Sequence, residues 1–457
     1  MRYFSIAGLA IVFCGMLLSE GFGGLSAILL VFLVSAPVIV VIRSKGQDVE
    51  PLIDIFLVAL LLRLAFGLFI HVYELREFFG GDAFTYDAYG VQIADVIAGK
   101  ALVTDSFSLK AMSTGTPGWG IHFLTGFIYY IFGPNLLAAQ SFVGAIGAAT
   151  APLLYYCAKQ IFNNSRVGTI SAMLYAMFPA AVVWSSQLLK DGLMVFLLVL
   201  SMTMVLAIQK RFSWPTIITL LSALAGIIAL RFYIFYLVAI SVVGALVIGR
   251  AKDSASLVRG FAVLFIIAVG LIASGAIGTA SDNLQKFGDL ELLQRSRKDL
   301  SKSADSGFGG DVDISTTEGA LTNLPTGFSY LMFAPFPWEA TSLRQSVTIP
   351  ETLIWWAMLP IMLMGLAFTL RSRLRPSIPV LTFTIMLTLA YSVLQGNVGT
   401  AYRQRIQIQV FLFMFVAAGV VLLLERSENN RMRQIAAHRR SDERLKALSS
   451  LGREGGE

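Results

Sequence analysis

Apolar runs alternate along the chain with short polar loops, and most runs approach the ~20 residues a helix needs to cross a ~30 Å hydrocarbon layer. They fall at about 4–20, 23–42, 51–71, 136–158, 167–184, 190–208, 215–231, 232–249, 260–279, 351–370, 377–394 and 405–424. The pattern predicts an all-α polytopic membrane protein with about twelve transmembrane helices. With the N-terminus in the cytoplasm, Arg43/Lys45, Lys159/Arg166, Lys210/Arg211, Arg250/Lys252/Arg259 and Arg371/Arg373/Arg375 all occupy cytoplasmic loops, as the positive-inside rule requires. Residues 1–425 then form one transmembrane domain, and 426–457 a cytoplasmic tail of mixed charge. The first run, after Arg2, resembles a secretion signal. It lacks a convincing small-residue cleavage site and another run follows at once, so it is read as an uncleaved span.

Two loops on the outer side are long, 72–135 and 281–350. In the first, Asp82 behind Gly80-Gly81 can start a helix. Tyr86, Tyr89/Gly90, Ile93 and Ile97 recur at helical spacing, predicting an amphipathic helix on the membrane surface that Gly99 stops. The run 117–132 is apolar but short, with glycines and His122, and counting it as a span would invert every later basic loop. It is expected to dip into or lie along the outer face. In the second loop, the polar stretch 301–319 is expected to be mobile, and the aromatic, proline-containing stretch to Glu339 to cover a site.

Composition agrees: 56% hydrophobic and 14% charged residues are too few charges to coat a water-soluble globule of 457 residues. The net charge of +7 sits in the short loops, which removes any reason to invoke nucleic acid. Both cysteines, Cys14 and Cys157, fall inside expected spans and imply no disulfide framework. Phosphate-loop, dinucleotide, zinc-protease and serine-hydrolase motifs are absent, and the histidines are only His71, His122 and His438. Chemistry must therefore come from carboxylates and cations at the outer face.

Asp82, Asp87 and Asp191 are the acids placed there, with Lys190, Arg231, Arg403 and Arg405 as cations at a level where positive-inside disfavours them. A carboxylate near an apolar boundary can accept a hydroxyl proton, and arginines can neutralise a phosphate that gains charge as it departs. Together these describe group transfer from a lipid phosphate. Asp82 is the first choice for a base, although aspartate is also a common helix cap. Asp87 lies about 140° round the helix from Asp82, and Asp191 could equally serve the dipole of its own helix. Tyr86, His122, Trp338 and Glu339 are candidates to line the substrate. Arg63, at mid-span, is expected to find a carbonyl or an acid inside the bundle.

The order GGDAFTYDAYGVQIADVIAGK, TPGWGIHFLTGFIYYIFG, a span, a basic turn, another span, and FPAAVVWSSQLLKDGLMVFLL resembles the GT-C membrane glycosyltransferases. Within them it is most similar to the bacterial protein O-mannosyltransferase and lipid A aminoarabinose-transferase branch. The resemblance is close over about 51–210 and one of layout elsewhere. It implies a GT-C fold, a polyprenyl-phosphate sugar donor, inversion at the anomeric carbon, and an extracytoplasmic glycan, lipid or protein as acceptor. It further implies Asp82 as the catalytic base, Asp191 as the second outer acid, and Arg403 and Arg405 as ligands of the lipid phosphate. Many members carry adjacent acids in the first loop, whereas Ala83 follows Asp82, so a divalent metal is left open. The expected setting is the bilayer of a bacterial plasma membrane with both termini cytoplasmic. Two alternatives stand beside this reading, a polysaccharide polymerase or ligase using lipid-diphosphate donors and a non-enzymatic lipid or solute transporter.

Overall fold

The computed structural model describes residues 2–46, 48–115, 118–248, 294–295, 297–298, 307–308 and 313–454, and side chains within them except at 80, 245–248 and 432–454. The expected span 260–279 and most of 281–312 lie outside these residues. The helices are α1 (Arg2–Glu20), α2 (Phe22–Ser44), α3 (Val49–Val72), α4 (Arg76–Gly80), α5 (Asp82–Ile97), α6 (Ser106–Met112), α7 (Trp119–Phe132) and α8 (Leu136–Phe162). They continue as α9 (Ser165–Met177), α10 (Pro179–Ser185), α11 (Lys190–Lys210), α12 (Trp214–Ile248), α13 (Thr317–Phe333), α14 (Leu343–Ser372), α15 (Leu374–Leu394) and α16 (Val398–Glu454). The protein is an all-α polytopic membrane protein.

Among the described residues nine helices are long and apolar enough to cross a membrane, or ten if the bent pair α9–α10 is one span. The expected twelve differ from this by 260–279 and by α12, which runs through the position where two spans were expected to meet. Its 35 residues exceed one crossing, and Arg231 breaks it with non-helical dihedrals (φ −151°, ψ 84°). α7, at 14 residues, is too short to span and belongs to the first long loop. The stretch 317–333, which takes in the end of the part expected to be mobile and much of the part expected to cover a site, is helical despite Pro325.

Polar pairs mark the two ends of the bundle. At one end Arg2 bonds Asp54 (2.8 Å), Asp48 meets Lys159 (3.0 Å) and Arg166 meets Glu428 (3.2 Å). At the other, Glu20 accepts from His71 (2.6 Å) and Asn135 (3.2 Å). α1 and α3 therefore run in one direction and α8 in the other.

α8 and α16 form the centre: 78% and 83% of their apolar windows are buried, against 22% in α1 and α14, whose exposed Leu, Ile and Phe suit lipid. Small residues bring α8 close to its neighbours. A Cβ on Gly147 would stand 2.6 Å from Ser185 Cβ, and one on Gly192 2.7 Å from it. α10 is thereby clamped between α8 and α11.

The expected single span 167–184 is instead bent by 58° between α9 and α10. Proline 179 is the cause: it forces Phe178 into extended geometry (φ −66°, ψ 124°) and has no N–H for the carbonyl of Tyr175, four residues back. Arg63, fully buried on α3, fills the gap. Its guanidinium donates to the carbonyls of Tyr175 (3.4 Å), Ala176 (3.1 Å) and Ala59 (3.0 Å) and to Ser185 Oγ (2.8 Å). This arginine holds the bend that delivers the chain to Lys190 and Asp191.

Candidate active site

α5 starts at Asp82 with Gly81 as its N-cap, so Asp82 is not the cap but a first-turn acid, favourably placed against the helix dipole. The buried face of α5, Ala83, Tyr86, Tyr89, Gly90, Ile93 and Ala94, packs on α7 rather than on lipid alone. Two glycines set the distance: a Cβ on Gly90 would meet Thr125, and one on Gly126 would meet Ile93, each at 2.4 Å.

α11 begins after α10 and the short segment 186–189, and Asp191 sits in its first turn. α16 begins at the cap made by Asn397, whose side chain accepts from Gly399 N (2.8 Å) and Thr400 N (3.3 Å). Arg403 follows in the second turn. The three helix starts converge. Asp191, with a 0% exposed side chain, accepts from Arg231 Nη2 at Oδ1 (2.6 Å) and from Arg403 Nε at Oδ2 (2.5 Å). Arg403 reaches on with Nη1 to Asp82 Oδ2 (2.7 Å). An unbroken chain of charges, Arg231–Asp191–Arg403–Asp82, thus runs from the interior to an acid whose side chain is 52% exposed.

The environment fixes each member. Arg231 also donates to the hydroxyls of Tyr233 (3.3 Å) and Tyr391 (3.4 Å), and Tyr391 donates to Gln407 (3.0 Å). The Arg403 guanidinium lies 5.7 Å over the Trp184 ring. Lys190 approaches from the α7 side: its Nζ is 3.1 Å from where a Cβ on Gly118 would be, and Gly118 has φ +82°, a conformation that favours glycine. Tyr86 is buried in the same field. Burial, and then the negative charge of Asp82, raises its phenol well above the usual range and keeps it a donor. Behind it His122 packs against the rings of Tyr86 (5.6 Å) and Tyr89 (4.7 Å). Burial, with the charges of Lys190 and Lys110, lowers the imidazole to about 4, so it is neutral at pH 7.

The other expected site residues lie elsewhere. Asp87 accepts from Tyr129 on α7, away from the charge chain. Arg405 does not join Arg403. Two residues apart on a helix point about 200° apart, and Arg405 faces the opposite side of α16, fully buried, donating to the carbonyls of Ala334 (2.7 Å) and Met332 (3.2 Å). Glu339 accepts from Tyr330 (3.0 Å), and the exposed Trp338 stacks on Phe336 (5.2 Å), both on the loop between α13 and α14. Trp184, Tyr233, Tyr391 and Gln407 were not anticipated. Tyr391 and Gln407 did carry a signal, being polar groups inside apolar spans.

Acid and cation in contact, with the acid half open to solvent, can accept a proton and hold an anion at adjacent atoms. Among the described residues no three His, Cys, Asp or Glu side chains converge as metal ligands. Residues 118–274 match the model of the family described as dolichyl-phosphate-mannose-protein mannosyltransferase, a stretch that includes Lys190, Asp191 and Arg231. No curated protein matches the chain.

Proposed function

Starting from a GT-C membrane glycosyltransferase of the mannosyltransferase type, which the family match supports, we propose that the chain transfers a sugar from a polyprenyl-phosphate donor to an acceptor hydroxyl on the extracytoplasmic side. The observation that carries this reading is the contact of Asp82 with Arg403 at 2.7 Å, where a proton acceptor and a phosphate-binding cation meet at one half-open position.

Asp82 takes the proton of the acceptor hydroxyl as its oxygen bonds to the anomeric carbon. The bond from that carbon to the phosphate oxygen breaks, and its electron pair leaves with the polyprenyl phosphate. Attack from the face opposite the leaving group inverts the anomeric centre. Arg403 stabilises the growing phosphate charge with bidentate geometry, and Lys190 adds a second cation. Asp191 and Arg231 touch no substrate in this scheme. They fix the Arg403 guanidinium, because Nε is committed to Asp191 and the outer nitrogens remain for an anion. Before the donor arrives, Asp82 occupies that anion position itself. The lipid phosphate displaces the carboxylate from Arg403, which both seats the donor and frees the base.

The test is Asp82→Asn in reconstituted membranes supplied with a polyprenyl-phosphate sugar. Asparagine keeps the size of the side chain but cannot take a proton at neutral pH, so transfer should fall about 10²–10⁴-fold. Full activity in that variant would remove Asp82 as the base.

A further inference from the structure

Beside the loop between α13 and α14 lies a half-open cavity of about 200 Å³ that the transfer scheme does not use, lined by Phe308, Tyr330, Phe336, Glu339, Thr341 and Gln345 among others. Drug-sized ligands occupy roughly 300–1,000 Å³, so this space suits a single ring-sized unit. It is too small for a lipid-linked donor. Its walls are of two kinds. The aromatic side is held rigid by Phe308 stacked on Tyr330 (4.3 Å, 7°) and by Phe336 edge-on to Tyr330 (5.4 Å).

The polar side offers a donor and an acceptor next to each other. Thr341 N, which can only donate, fixes the carbonyl oxygen of the Gln345 amide (2.8 Å) and so leaves its NH₂ group for a ligand. Glu339 accepts from Tyr330 at Oε2 (3.0 Å) and keeps Oε1. A lipid tail here would strip water from Glu339 without replacing its hydrogen bonds. An apolar C–H face with hydroxyls around its rim fits both walls, and that is the chemistry of a pyranose.

The cavity lies at the start of α16, on its Arg405 face. Val398, which lines it, opens α16, and Arg405 follows two turns later on the same face. Pro335, also in the lining, directly follows Ala334, the carbonyl that Arg405 holds at 2.7 Å. On the other side Arg344 donates to Glu77 O (2.9 Å) and lies over the Phe78 ring (5.4 Å), tying the cavity rim to α4, which leads into Asp82.

We infer that this cavity binds a sugar ring of the acceptor, so that the substrate receiving the transferred sugar is a saccharide chain rather than a serine or threonine of a protein. Its role as an acceptor subsite rests on the transfer reading above, whereas sugar binding itself does not. The experiment therefore reads binding without donor. The full-length chain in detergent is mixed with methyl pyranosides of the gluco, galacto and manno series, or with an uncharged peptide containing Ser and Thr, and saturation-transfer NMR is recorded. At least one pyranoside should show contact, the peptide none. Glu339→Gln should weaken that contact about tenfold or more, as loss of a charged hydrogen-bond acceptor does, and Phe336→Ala should weaken it through the other wall. Absence of contact with every pyranoside, contact unchanged in both variants, or peptide contact that these variants abolish would each overturn the inference. If sugar contact behaves as stated but Asp82→Asn transfers normally, the subsite stands and the base assignment falls. If Asp82→Asn is inactive and no sugar binds, the reverse holds.

Discussion

Arg403 and Arg405 stand two positions apart on one helix, and their surroundings could hardly differ more. Arg403 is neutralised by two carboxylates, Asp191 at 2.5 Å and Asp82 at 2.7 Å. Arg405, like Arg63 in α3, is buried among backbone carbonyls. A carbonyl is a fixed part of the fold and cannot leave when a ligand arrives. A half-exposed carboxylate can, and the guanidinium it releases is available to another anion. The partner, and not the presence of arginine near the membrane surface, separates a binding cation from a structural one.

The largest effect should come from the carboxylate that both site arginines share. Asp191→Asn leaves Arg231 and Arg403 side by side without the buried negative charge between them, and breaking a buried pair in this way costs about 3–5 kcal/mol. The variant should show a clearly lowered thermal midpoint in detergent and no measurable transfer. A midpoint equal to that of the wild type would show that the buried charge chain is not what holds α5, α11, α12 and α16 together.

Next come matched substitutions of the two arginines. Lysine keeps the charge but has neither the planar fork nor the reach to serve two partners at once. Arg403→Lys should lower kcat/KM for the donor about 10²–10³-fold, the range seen when one transition-state donor is removed, with little change in thermal midpoint. Arg405→Lys should do the opposite, lowering the midpoint while transfer per folded molecule is kept. Equal losses of transfer in both variants would erase the distinction between the two sides of α16.

Most of the architecture was legible because bilayer thickness imposes a length on every apolar run. Asp82, Asp191, Arg231 and Arg403 could be singled out for a related reason: each is a charge where apolar sequence makes charge expensive. Their pairing was not legible. Nothing in the spacing of Asp82 and Arg403, 321 positions apart, says that they touch. The pairing of Arg405 with Arg403 failed on helix geometry, since neighbours at i and i+2 face opposite ways. The bend at Phe178-Pro179 was written in the sequence, but the apolar run around it passed for one straight span. What Arg63 does there follows only once the orphaned carbonyl of Tyr175 is located.

The smallest effect tests the apolar support of Asp82 rather than its charged partner. His122 is buried behind Tyr86 and Tyr89 and titrates at about 4 in the folded chain, below the 6.5 of an unperturbed imidazole. Above pH 6.5 neither folded nor unfolded chain holds that proton, and stability from this residue is complete. Between 6.5 and about 4 the unfolded chain takes it up while the folded chain does not, so stability is lost steadily as pH falls through this window. Below about 4 both are protonated and the loss is complete. His122→Gln has no such group, and its thermal midpoint should decline less than that of the wild type from pH 7 to pH 4.5. Parallel curves would mean that α5 and α7 stay packed with a charged imidazole between them, and that Asp82 depends on Arg403 alone for its position.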